Sequence, residues 1–260
     1  MFKKEIIFAF VCCAVISVAH ADESKDAAKL EATYGFSRSN QSLINGVLIN
    51  YKTDPTLNLA YENTRWFASI QNGLGAWLVH HDQLKSGLSI NYMMGRNESA
   101  DKRYAGMGNV SGTAMAYLWG EWQPIKDAIT IYANYGNSLS DADAALGQWG
   151  MTLGLPLADK LNVFLDHSRS WGSRQYLQKY YGVTMSQSIS SGYREFMPSG
   201  SGALYQNTQI GLVIEARKDV DVIIGYGKST ASGALMNSPM LQKQSQPIST
   251  FVLNQRFNLN

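Results

Sequence analysis

The sequence predicts an all-β chain that closes into a transmembrane antiparallel β-barrel. Ten or twelve strands fit, twelve the better, with short turns on the periplasmic side and long loops on the extracellular side. Three observations predict this. Apolar and polar residues alternate in segments of roughly ten residues that recur along the chain, the pattern of strands with one lipid-facing side. Charged residues make up 16% and aromatic residues 11%, against roughly 25% charged in soluble domains. Past the N-terminus, no uninterrupted apolar run reaches the roughly 18 residues of a spanning helix. A soluble β-sandwich is the competing reading of the alternation alone.

The chain opens with a targeting segment. Lys3 and Lys4 precede an uncharged, mostly apolar run over residues 6–19, and Ala19-His20-Ala21 offers an A-x-A cleavage site before Asp22. That run is shorter than the roughly 20 residues a membrane anchor needs. The expectation is a cleavable secretory signal over residues 1–21 and one outer-membrane barrel domain over residues 22–260. Both cysteines, Cys12 and Cys13, fall inside the signal, so the exported chain has no disulfide, thiolate nucleophile or cysteine metal site. With a formal charge of +2 for the full chain, nothing suggests a nucleic-acid partner.

The strands follow in order. Leu30, Ala32, Tyr34 and Phe36 alternate with Glu31, Thr33 and Gly35. Residues 45–77 divide less clearly: stretches 46–51, 57–61 and 66–71 are three strands or parts of two, which leaves the count at ten or twelve. Leu84, Leu88, Ile90, Tyr92 and Met94 oppose Lys85, Gly87, Ser89 and Asn91. The stretch 110–122 is ambiguous in phase. Ile129, Ile131, Ala133 and Tyr135 then oppose Thr130, Tyr132 and Asn134, and Trp149, Met151, Leu153 and Leu155 oppose Gln148, Gly150, Thr152 and Gly154. Leu161, Val163 and Leu165 face away from Asn162 and Asp166, with Phe164 on the polar side. Ile210, Leu212 and Ile214 oppose Gln209, Gly211 and Glu215, and Val220, Val222, Ile224 and Tyr226 oppose Asp221, Gly225 and Gly227. The closing strand puts Phe251, Leu253, Phe257 and Leu259 outward and Thr250, Val252, Asn254, Arg256 and Asn258 inward. Outer-membrane barrels often end on an aromatic that the barrel-assembly machinery reads; here three residues follow Phe257.

Short turns are expected at residues 80–83, 124–127, 156–159 and 217–219, and long polar loops at 95–109, 137–147, 169–203 and 228–247. That asymmetry is the one outer-membrane barrels show, with the short turns periplasmic. Closure follows because lipid offers no partner to an open sheet edge. Trp66, Trp77, Trp119, Trp122 and Trp149 fall near strand ends, as expected of an interfacial girdle.

The loop 169–203 reads Tyr180-Tyr181-Gly182-Val183-Thr184-Met185-Ser186-Gln187-Ser188, then Ser191-Gly192-Tyr193 and Pro198-Ser199-Gly200. It is followed by Asn237-Ser238-Pro239-Met240 and a terminal Gln255-Arg256-Phe257. Together with Trp66-Phe67-Ala68-Ser69 and Asn72-Gly73-Leu74-Gly75, these resemble the MipA/OmpV family of Gram-negative outer membranes, the MltA-interacting proteins. Family-motif residues are Tyr181, Gly182, Val183, Gln187, Ser188, Gly192, Pro198, Ser238 and Pro239. Asn237 stands where the family usually has Asp. The resemblance implies a non-enzymatic scaffold, without cofactor, that links a murein-hydrolysing lytic transglycosylase to a murein synthase while seated in outer-membrane lipid.

Two other readings compete. A small-solute channel would run past inward Lys85, Asn91, Thr130, Asn134, Asp166, Glu215, Asp221 and Arg256; the loop 169–203 either plugs it or stands out as a partner surface. A lipid-modifying enzyme would need a His/Ser pair, and Asp166-His167-Ser168-Arg169-Ser170 is the one candidate. There His167 shares the outward phase of Leu165 while Asp166 points inward, and neighbours on a strand point apart. His80-His81 has no third ligand nearby in sequence, so no metal site is expected.

Overall fold

The computed structural model describes residues 28–44, 47–70, 72–140, 144–241 and 244–259. The expected signal segment, residues 1–21, lies outside them. Twelve antiparallel strands form one closed ring: β1 (Ala28–Ile44), β2 (Val47–Glu62), β3 (Trp66–Ser69), β4 (Gly73–His81), β5 (Leu84–Met93), β6 (Thr113–Ile125), β7 (Ile129–Ser138), β8 (Ala145–Ala158), β9 (Leu161–Gly172), β10 (Gly202–Arg217), β11 (Val220–Ala231) and β12 (Ser245–Leu259). Each strand pairs with its sequence neighbours, and β12 returns to β1 from Ala28↔Leu259 to Ser39↔Ile248. The uncertain stretch resolves as the long β2, which joins two of the suggested segments, and the four-residue β3.

Alternation sets the wall. Leu88, Ile90, Tyr92, Ile131, Tyr135, Met151, Leu165, Ile210, Ile224 and Phe251 are exposed on the outer surface. Thr33, Ser89, Thr152, Asp166, Gln209, Asp221, Thr250 and Asn254 are buried inside. Interior polar groups pair across strands. Asp166 accepts from Tyr132 Oη at 3.0 Å and Thr152 Oγ1 at 2.8 Å. Thr33 Oγ1 donates to Asn254 at 2.9 Å, and Arg256 meets Asp221 at 3.2 Å.

The inner wall is also fitted by size. Phe67↔Gly75, Gly87↔Trp119, Tyr117↔Gly136, Tyr132↔Gly150 and Phe164↔Gly211 are direct cross-strand pairs. At Gly136, Gly150 and Gly211 a Cβ would stand 2.2, 2.4 and 2.5 Å from the ring of the paired aromatic. Each ring lies where the opposing residue has no side chain, so small and large inward residues tile a curved wall. Phe164 therefore belongs inside, where it packs with Val213, Ile223 and Val252.

Two tryptophans depart from the girdle expected of them. Trp66, Trp122 and Trp149 are about half exposed on the outer surface, joined by Trp171. Trp77 and Trp119 instead turn into the lumen, where they meet each other at 5.1 Å and Phe67 at 4.7 and 5.3 Å. Trp77 shares the inward phase of Gly75, and Trp119 that of Met115 and Tyr117; the β4–β5 register shifts only beyond Trp77.

Candidate functional site: an interlocked outer cap

The three longest connections on the loop side fold together. Residues 94–112 carry two short 3-10 turns, Glu98–Ala100 and Lys102–Tyr104. Residues 173–201 carry two helices, α1 (Arg174–Tyr181) and α2 (Met185–Ser191). Residues 232–244 carry the turn Gly233–Leu235. Helices in a segment predicted as loop have local causes. Ser173 caps α1 by accepting from the Tyr176 N–H. Thr184 and Gln187 form a reciprocal capping box on α2, which ends at Gly192 in the left-handed region, φ 77°. Such caps satisfy the orphan backbone groups that short helices otherwise leave in water.

α1 spans the barrel mouth. Tyr176, Leu177, Tyr180 and Tyr181 are buried, with Leu177 and Tyr180 at 0% exposure. They form one apolar cluster with Met93 and Met115 on β5 and β6 and with Leu204 and Ala231 on β10 and β11. Those strand pairs lie across the ring from each other, so one helix touches both walls. Burial holds the Tyr176 and Tyr181 phenols well above their ordinary range. A second cluster, Tyr104, Met107, Val183 and Met240, lies where the three loops meet.

Polar contacts tie the loops together. Arg96 Nη1 donates to the Tyr180 carbonyl at 3.1 Å, Gln187 Nε2 to the Met107 carbonyl at 2.7 Å, and Ser238 Oγ to the Tyr181 carbonyl at 2.7 Å. Arg194 Nη2 donates to the Asn237 carbonyl at 2.8 Å. Arg96 is buried with its guanidinium 5.2 Å from the Tyr104 ring, and burial pulls its pKa below the usual arginine value. Arg103 is held above it, chiefly by its two-pronged hydrogen bond to Asp101. Val183 and Phe196 exchange backbone hydrogen bonds at 2.8 and 2.9 Å.

All nine family-motif residues fall on this cap. Tyr181 and Val183 are buried in its two clusters. At Gly182, which ends α1, a Cβ would strike Gln178 at 2.3–2.6 Å. Gln187 ties α2 to Met107, Ser188 Oγ donates to the Tyr193 carbonyl at 2.6 Å, and Gly192 closes α2. Pro198 and Ser238 are buried, and Pro239 is half-buried beside them. Sequence reading missed Arg96, Tyr104, Met107 and Leu177, which complete the cap from outside the motifs. On the closing strand Phe251 and Phe257 are exposed outward and Leu253 is half-buried. Leu259 pairs with Ala28, and its side chain lies outside the described ones.

The histidine candidates sit apart from any such assembly. His167 Nδ1 lies 2.8 Å from Thr208 Oγ1 on the outer surface, while Asp166 points inward to Tyr132 and Thr152. Ser170 Oγ is engaged with the Tyr205 backbone where the β9–β10 register shifts. His80 stacks on Trp77 at 4.4 Å near the short-turn end, and both His80 and His81 are exposed. Among the described residues no group of three His, Cys, Asp or Glu could hold a metal.

A twelve-strand ring with a lipid-ready outer band, short turns at one end and an interlocked cap at the other defines a transmembrane β-barrel of the outer-membrane type. The sequence matches the MltA-interacting protein MipA family over residues 32–257, and the chain belongs to that family. No curated protein matches it. Among solved structures it is similar to the NanC porin (9% identity, TM-score 0.44, covering 87% of this chain and 98% of that one). It is also similar to the KdgM porin (6%, 0.41, 87% and 99%) and the CymD monoaromatic hydrocarbon channel (9%, 0.42, 91% and 90%).

Proposed function

We propose that this chain is a non-enzymatic interaction protein of the outer membrane, exported through the cleaved segment 1–21. In this reading it holds a murein-hydrolysing transglycosylase, and with it a murein synthase, at the periplasmic face. The observation that carries the reading is the cap: α1 is buried against opposite walls of the mouth, an arrangement suited to a closed anchor rather than to free diffusion. The family description, MltA-interacting protein, supplies the kind of partner. The periplasmic turns present exposed charges of both signs, among them Arg65, Asp82, Lys126, Asp127, Asp159, Lys160, Lys218 and Asp219. Mixed charge steers a partner and fixes its orientation more than it adds affinity.

The test is cross-linked capture from cells carrying a tagged copy. The reading expects a lytic transglycosylase among the captured proteins, with less of it when Lys126, Asp159 and Lys218 are changed together and no loss when loop 173–201 is trimmed. Capture that yields no murein enzyme, or that depends on the outer loops instead, would sink it. The alternative, a small-solute channel, draws on the polar inner wall around Asp166, Asp221 and Arg256 and requires the cap to move aside.

A further inference from the structure

The wall of the barrel is not of even height. The β2–β3 ladder has three pairs, Ala60↔Ser69 to Glu62↔Phe67, and the β4–β5 ladder starts at Leu74↔Ile90. The β3–β4 hairpin therefore stops part-way up, where Ile70 N–H reaches the Leu59 carbonyl and Gly73 abuts Ile90. Above it β2 continues outward, paired to β1 as far as Val47. Among the described residues, no ladder covers the other edge of β2 over residues 47–57. A spanning strand needs about 9–11 residues. Counting from Glu62 at the periplasmic turn, residues 53–57 of β2 stand in the outer half of the membrane.

An open edge in hydrocarbon needs a reason. Strand addition by a partner is the usual one, but both borders are blunted against it. Tyr92, just above the end of the β4–β5 ladder, donates its backbone N–H to Asn91 Oδ1 at 2.8 Å. On β2, Pro55 sits in register with Phe36 of β1 and has no N–H to offer. Antiparallel pairing with the β2 of a second copy is excluded by symmetry. Antiparallel β2–β2 pairing needs a two-fold axis perpendicular to the strands and would invert one barrel in the membrane.

We propose that the gap between β2 and β5, floored by the β3–β4 hairpin, is a lateral window through which the acyl chain of an outer-leaflet amphiphile enters the lumen. Two missing strands leave three inter-strand steps, about 14 Å at the usual spacing. The window opens sideways, while the axial exit above it is filled by α1 against Met93 and Met115. Its inner surroundings are amphipathic: Met93 and Met115 near the top, Ser89 and Thr33 below. This suits a chain with a polar end, and it is independent of any partner at the periplasmic face.

Single-cysteine spin labelling tests it, because the sequence has no cysteine outside positions 12 and 13. Labels go at Asn91→Cys, inward beside the window, and at Gln148→Cys, inward where both neighbouring ladders are complete. Relaxation by oxygen, which concentrates in hydrocarbon, is compared with that by a water-soluble nickel chelate in phospholipid vesicles. Heat-modifiable gel mobility verifies folding of each variant. The window predicts several-fold greater oxygen access at 91 than at 148, lost when the β3–β4 hairpin is lengthened to extend its ladders along β2 and β5. Equal oxygen access at both sites would overturn the proposal. Chelate access at 91 without oxygen enrichment would mean a water-filled gap and would equally overturn the acyl-chain occupant.

Discussion

At the scale of single residues, the inner wall depends on glycines that face aromatic rings. Gly136→Val would push a side chain into the Tyr117 ring, 2.2 Å from the new Cβ. It should destabilise the barrel by about 1–3 kcal/mol, the usual penalty of overpacking. Tyr117→Ser should recover part of that loss in a double-mutant cycle followed by urea unfolding in vesicles. The outer wall obeys a different rule. Ile224→Arg, on the exposed outer face, should cost about 2–4 kcal/mol, and Thr130→Arg, inward, much less. Equal costs would contradict the facing derived from both pattern and burial. Alternation made that facing legible along most strands, yet it hid Trp77 and Trp119. A tryptophan suits either face of a strand, and these two turn inward to pack on Phe67 and on each other, a contact that leaves no mark in a hydropathy pattern.

At the scale of elements, β6 shows why its phase was ambiguous in the sequence. Its inward residues Met115, Tyr117 and Trp119 are apolar or aromatic because they meet the plug and the lumen cluster. Both faces of the strand are therefore greasy, and alternation fades. The two cap helices were equally hidden, since eight and seven residues rich in Ser, Gln and Tyr carry no stable helical period of their own. The motif residues were visible in the sequence, but their joining of three loops was not. Ser238→Ala leaves the Tyr181 carbonyl without its hydroxyl donor. Because that carbonyl is buried, the loss should weaken cap closure by about 1–3 kcal/mol, read as faster proteolysis within 173–201 while barrel mobility on gels stays unchanged. Alkali should act on the same element. The buried Tyr176 and Tyr181 phenols ionise well above pH 10 when the cap is closed, but near pH 10 once it opens. The open state then binds fewer protons, so closure is constant below about pH 10 and weakens as pH rises through and above it. Cap proteolysis should accelerate over that range; protection that grew with pH would contradict the burial of these rings.

At the scale of the whole molecule, three features set what the barrel is suited to do: a continuous hydrogen-bonded ring, a mouth filled by α1, and a charged periplasmic rim. Closing the ring from β12 to β1 removes the edges that lipid cannot satisfy, except where the short β3–β4 hairpin leaves β2 uncovered. Ring closure and turn asymmetry were legible because repeated alternation and unequal connection lengths are properties of the chain itself. The short hairpin was only half legible: four residues of β3 are too few for alternation to count. The most direct measurement of the central claim, a barrel closed at its mouth, is single-channel recording in planar bilayers. The unmodified chain is compared with a variant in which residues 174–200 are replaced by a short Gly-Ser linker. A closed anchor predicts no steady conductance for the intact chain, with steps appearing or noise rising only in the variant. Steady, ohmic conductance through the intact chain would contradict it and return the channel reading to first place.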